Sequence, residues 1–154
     1  MANASTTGFG FRPIKKVGQT DNVGALTEYS VAASSALISH AAMVQLTADG
    51  VVLASGNTDA NNLGTLNGVF YTDADTNKPT FANFSKASNT ATDIVAFVND
   101  DPRQVYEIMS ADTAFNQNEV GGCADQVVAV GVTPLFISKS KISATTGASI
   151  AQLK

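Results

Sequence analysis

The sequence predicts an all-β domain, a single β-barrel or β-sandwich with an extended N-terminal arm. Three observations point there. Short runs of β-branched and aromatic residues recur along the chain, clusters of Gly, Asn and Asp separate them, and no stretch sustains a helical apolar period. The length of 154 residues suits one domain, because a chain of this size buries roughly 70% of its unfolded surface without disulfide staples.

Residues 1–18, MANASTTGFGFRPIKKVG, read as the arm, and residues 19–154 as one β-rich domain. Its first half is small and polar, with Phe9 and Phe11 lacking apolar neighbours in sequence, so each anchors either on the chain's own core or on a neighbouring subunit. Strands are expected at Pro13 to Val17, Leu26 to Val31, Met43 to Thr47, Val51 to Ala54 and Gly64 to Tyr71. Further strands are expected at Thr80 to Phe84, Asp93 to Val98, Gln104 to Met109, Gln126 to Val132 and Leu135 to Ile142. TADG at residues 47–50 reads as a hairpin turn, with Gly50 free to take positive φ. Helical turns are conceivable in AASSALISHAA (32–42) and SADTAFNQ (110–117), where Ala and Leu favour helix and Ser or Asp caps it. SGNTDANN (55–62) reads as a long polar loop, and SATTGASIAQLK (143–154) as a late-docking tail.

Composition excludes several classes of function. A net charge of -4 and a pI near 4.7 argue against nucleic acid or an acidic membrane surface, which require clustered cations. Arg12, Lys15 and Lys16 form the one small basic group. Cys123 is the sole cysteine, so no intrachain disulfide can form and assembly in a cytoplasm is expected. No apolar run approaches the ~18 residues that span a bilayer, and no export signal is visible.

The chemistry-bearing residues are sparse. His40 is the only histidine, which rules out a His-cluster metal site and leaves any Ser-His-Asp triad dependent on it, with no G-x-S-x-G present. Cys123 in EVGGCADQVV has Glu119 and Asp125 nearby, which disfavour a thiolate, so it reads as a small core residue. DADTNKPTFANF (73–84) opens like a calcium-binding EF-hand loop, D-x-D-x-N. Its sixth and twelfth positions, however, are Lys78 and Phe84 instead of Gly and Glu, so it reads as the hairpin loop between GVFYT and PTFANF. No phosphate-cradling glycine motif occurs. No catalytic residue, metal or cofactor is assigned.

FVNDDPRQVYEI (97–108) carries the adjacent carboxylates Asp100 and Asp101. An acid-base pair needs environments that separate the two pKa values, whereas Asp before Pro favours a turn. The expectation is a hairpin, with Val98 and Val105 holding its strands together and Asp100, Asp101 and Arg103 facing outward towards a neighbouring subunit.

The ordered series ASTTGFGFRPIKKVG, GVFYTD, KPTFANF, ATDIVAFVNDDP and VYEI resembles small structural proteins of tailed bacteriophages of aquatic bacteria, over most of residues 4–109. The resemblance implies a virion structural protein that decorates or cements the capsid. It would bind the major capsid protein, assemble with itself as a homotrimer, and sit on the capsid surface after assembly in the host cytoplasm. Contacts would then come from Phe9, Phe11, Arg12, Lys15, Lys16, Asp100, Asp101 and Arg103. The alternative is a tail- or fibre-associated virion protein that binds host glycan.

Overall fold

The computed structural model describes residues 7–18, 26–32, 35–53, 62–111, 116–117, 120–122 and 124–143. Within them run ten strands: β1 (Arg12–Lys16), β2 (Thr27–Ser30), β3 (Met43–Thr47), β4 (Gly50–Leu53), β5 (Asn62–Thr72), β6 (Pro79–Ala82), β7 (Val95–Asn99), β8 (Gln104–Glu107), β9 (Asp125–Val127) and β10 (Lys141–Ser143). The protein is thus all-β across its described residues, and each strand overlaps a run expected from sequence. The strands form a six-stranded sheet in the order β2-β7-β5-β3-β4, with β6 also on β5, and two ribbons, β1-β8 and β9-β10.

The eleven residues of β5 are the axis of the large sheet. One edge takes β7, while the other takes β3 along its first half and β6 along its second. Leu66 and Val69 are three apart, a spacing that would send them to opposite faces of a regular strand. The register shift between Leu66 and Gly68 resets the alternation, so both bury in the core with Tyr71, Val44, Val51, Ala96 and Val98. Gly64 lets β5 run close against the end of β7, because a Cβ there would collide with the Asn99 carbonyl.

Two hairpins form as expected, β3-β4 through Thr47 and Gly50 and β5-β6 through the loop after Thr72. Gly50 takes φ +128, and the Ser30 carbonyl would stand 2.5 Å from any Cβ it carried. Only glycine lets β4 start this close to the end of β2. There the two outer strands of the sheet meet: Val31 and Val51 form a parallel bridge, and the Ala32 N–H donates to the Val51 carbonyl at 3.1 Å.

The structure corrects four expectations. The 97–108 stretch reverses the chain but makes no hairpin, because β2 and β5 already occupy both edges of β7 and β8 pairs with β1 instead. Val98 therefore faces Thr27 and Leu66, and Val105 faces Lys15. In the described part of 32–42 no helical turn forms, since Ile38 exchanges main-chain hydrogen bonds with Ser85 and buries completely. The long strands expected over 126–132 and 135–142 shrink to β9 and β10. Between them the Phe136 N–H turns back onto the Val132 carbonyl, Phe136 takes φ 47, and Ser138 and Ser140 bury their hydroxyls on one another.

The fourth correction concerns the arm. Its described part includes a docked strand, β1, and Phe11 is 1% exposed. Phe11 packs on Met43 of the large sheet with Tyr106, Ile108 and Ile142, and meets the Tyr106 ring edge-on at 6.2 Å. This second core binds all three sheets together and removes Phe11 from any outward contact set. Residues 1–6, Cys123, most of the 55–62 loop and the 144–154 part of the tail lie outside the described residues.

Burial separates the two phenylalanines experimentally. Phe11→Ala is expected to cost about 3–5 kcal/mol, the usual loss for a buried aromatic. Phe9→Ala, at a site 36% exposed, is expected to change stability by less than about 1 kcal/mol. Urea unfolding followed by circular dichroism measures both.

Candidate functional site

The break between β7 and β8 gathers most of the charged residues singled out from sequence. Asp100 and Asp101 follow directly on β7 and face different parts of the fold. Asp100 turns to β2, where its Oδ1 accepts the Thr27 hydroxyl at 2.9 Å and its Oδ2 accepts the Tyr29 hydroxyl at 2.7 Å. Asp101 turns to β1: its Oδ2 lies 2.7 Å from Lys16 Nζ, and its Oδ1 accepts the Arg103 N–H at 2.8 Å. The Gln104 N–H donates to the Asp101 carbonyl, and the Val17 N–H to that of Arg103, which seats the end of β1 on the turn.

Behind the carboxylates lies a buried amide network. Asn99 Nδ2 donates to Gln104 Oε1 at 3.1 Å, Gln104 Nε2 donates to the Lys15 and Val105 carbonyls, and the Tyr106 hydroxyl donates to the Asn99 carbonyl. The pairing satisfies both polar ends of the Gln104 amide and the Asn99 Nδ2, while the buried Asn99 Oδ1 is left without a hydrogen-bond partner among the described residues. The Lys16 ammonium, then the Arg103 N–H, holds the Asp101 carboxyl below the usual carboxylate range. The hydrogen bond to Asp100, with a smaller part from burial, raises the Tyr29 phenol above its ordinary value. Two carboxylates so employed are structural fasteners, because each is committed to holding a strand.

The remaining candidates divide between this junction and a groove. Lys15 and Arg103 are exposed at the junction. Arg12 stands opposite Glu107 in the β1-β8 ladder with a loose 3.8 Å ion pair, both side chains more than half exposed. Arg12, Pro13, His40 and Ala41 line two adjoining hollows of about 290 Å³ each. One extends to Leu26, Asn67 and Asn99, the other to Phe9, Glu107 and Ile137. Phe9 and Ile137 continue into a third hollow of about 310 Å³ with Val132, Pro134 and Leu135. That end is apolar, with Val132 58% and Leu135 64% exposed.

Sequence reasoning missed this apolar end because its residues were assigned to strands, whose alternation would have buried half of them. The irregular course of 128–140 turns them outward instead. The signal was the proline in VGVTPLFI, which has no N–H to give a central strand.

His40 is half-buried in the groove, its main chain bonded to Phe136 and Ser138. Its Nδ1 lies 2.9 Å from the Asn67 carbonyl oxygen. A carbonyl only accepts, so Nδ1 carries the proton. Among the described residues no group of three or more His, Cys, Asp and Glu side chains is placed to hold a metal. In the 73–78 loop Asp73 Oδ1 accepts the Asp75 and Thr76 N–H groups and the Thr76 hydroxyl, while its Oδ2 lies 3.9 Å from Lys86 Nζ. Those bonds, the Thr76 N–H foremost, lower its pKa. Asp93 is lowered in the same direction by its hydrogen bonds with Thr72. Compared with known proteins, the chain matches no family model, no curated protein and no solved structure.

These depressed carboxyls set the acid response. A group whose folded pKa lies below its unfolded value, about 3.9 for Asp, contributes stability that is present above that value and lost as pH falls through the folded one. Stability is therefore expected to decline below roughly pH 5. Asp101→Asn should lower the neutral-pH urea midpoint and flatten the decline, as read from midpoints measured across the acid range.

Proposed function

We propose that this chain is a virion structural protein that decorates the capsid of a tailed bacteriophage, seated as a homotrimer between major capsid protein subunits and stabilising the head. The observation that carries the proposal is the apolar surface along Phe9, Val132, Pro134, Leu135 and Ile137, left exposed by the described residues. Adjoining apolar residues left in water by a folded chain are characteristic of a protein-protein contact, and a cement protein works by many such contacts repeated over a lattice. Asn83 Nδ2 donates to the Leu135 carbonyl at 2.8 Å and the Phe84 ring stacks on Phe136 at 4.0 Å. These contacts bring the end of β6 beside the same surface.

The resemblance of the 4–109 segments to phage structural proteins supports the same reading. So does the meeting of β2 and β4 at Val31 and Val51, on which the large sheet is read as a small barrel able to bear load. The charged candidates Lys15 and Arg103 then serve as rim contacts, with Arg12 at the groove. A second reading, a tail- or fibre-associated protein that binds host glycan, is favoured by the pair of Phe81, 76% exposed, and Phe70, their rings 4.6 Å apart. Such a pair can stack on a sugar face, and the exposed Asp75, Thr76 and Asn77 of the adjoining loop offer polar partners.

A cryo-EM map of native particles tests the proposal, and finding the chain as a free monomer absent from particles overturns it. Leu135→Asp is expected to leave the fold intact and to weaken particle binding by about 2 kcal/mol, roughly 30-fold. Sedimentation with purified particles measures this. Unchanged occupancy would move the contact elsewhere, and loss of glycan binding in Phe81→Ala would favour the second reading.

A further inference from the structure

Asn67 and Gly68 are the only Asn-Gly pair in the chain, and the fold places them at an irregular point of β5. The ladder to β7 pairs Leu66 with Val98 and Gly68 with Phe97, so Asn67 is the bulged residue between them. On the other edge the pairs with β3 end at Thr65, and those with β6 begin at Val69. Asn67 therefore has no partner in either ladder, and it is exposed in the groove shared with Arg12 and His40.

The His40 contact falls on the peptide unit that matters. Its Nδ1–H donates to the carbonyl of Asn67 at 2.9 Å, and that carbonyl shares a peptide bond with the Gly68 nitrogen. When this nitrogen loses its proton, the negative charge spreads onto the carbonyl oxygen, where the His40 donor stabilises it. Gly68 carries no Cβ to obstruct a ring closing at its nitrogen. The main chain of His40 is anchored by its bonds to Phe136 and Ser138, which fixes where the imidazole starts from.

Independently of any capsid role, we infer that Asn67 is a site of self-modification, converting to aspartate and isoaspartate through a succinimide assisted by His40. Gly68 itself is buried, so its N–H gives its proton to solvent base as the bulge opens. The nitrogen then attacks Asn67 Cγ, and the Cγ–N bond of the side-chain amide breaks. Ammonia leaves with a proton from solvent. Water then adds to either carbonyl of the ring and opens it, giving aspartate or isoaspartate. The product adds a carboxylate, and with it one negative charge, to the groove that Asn67 shares with Arg12 and His40. The isoaspartate form also lengthens the main chain by one carbon at the bulge.

The test is incubation of the full chain in neutral buffer, with intact mass and peptide mapping over time. The expected result is a gain of about one mass unit per event on the peptide containing Asn67, ahead of every other asparagine, with isoaspartate exceeding aspartate. His40→Gln is expected to slow this conversion several-fold in the folded protein while leaving the rate in concentrated urea unchanged. Two results overturn the inference: folded protein in which Asn67 stays intact while the urea-unfolded chain converts, or equal folded rates in wild type and His40→Gln. Asn67→Gln serves as the control that should abolish the product.

Discussion

Successive side chains of an extended backbone face opposite ways, and at Asp100 and Asp101 this rule fastens two sheets at one point. As the chain leaves β7, one carboxylate holds the hydroxyls of β2 and the next holds Lys16 at the end of β1. Neither could be replaced by moving the other, because each reaches a different strand. The buried amides of Asn99 and Gln104 lie directly behind and convert the same corner into a hydrogen-bonded block. The rest follows from that placement: β8 runs away from the large sheet, β1 pairs with β8, and Phe11 swings over Met43 to close the second core.

Much of this was legible in the sequence, and the failures share one cause. Strand positions, the TADG and 73–78 turns and the turn-forming role of Asp101 all depend on local chemistry, and local chemistry is what a sequence displays. Partner choice is not local. DIVAFV and QVYEIM read as a hairpin because they flank a good turn, yet the edges of β7 were already taken by strands about seventy residues before it and thirty residues before it in the chain. The same blindness made Phe9 and Phe11 look equivalent, although one closes a core and the other lines a groove. Of the candidate site, the basic group at Arg12, Lys15 and Lys16 and the adjacent carboxylates were each legible, but not that Lys16 meets Asp101. The apolar end was not, since its outward turn depends on the course of 128–140.

The groove and the junction divide labour between rigid and adaptable surface. Lys16 and Asp101 are mostly sheltered, with side chains 14% and 22% exposed, so their pair is structural. Arg12, by contrast, is loosely held and sits where apolar lining meets polar lining. A contact that seats apolar side chains at one end of the groove would meet a cation and a histidine further along it, which gives orientation as well as attraction.

Phe11 and Ile142 pack in the same small cluster, though they stand at positions 11 and 142 of the chain. Such closure requires a contact between segments far apart in sequence, and long-range pairing of this kind slows folding. While it emerges from the ribosome, the large sheet can pair from β2 through β7, but β1 has no finished core to cover until β10 is made. Until then the cluster of Phe11 and Met43 has Tyr106 and Ile108 but lacks Ile142, and the apolar side that Ile142 will cover is the part of the growing chain most open to wrong contacts.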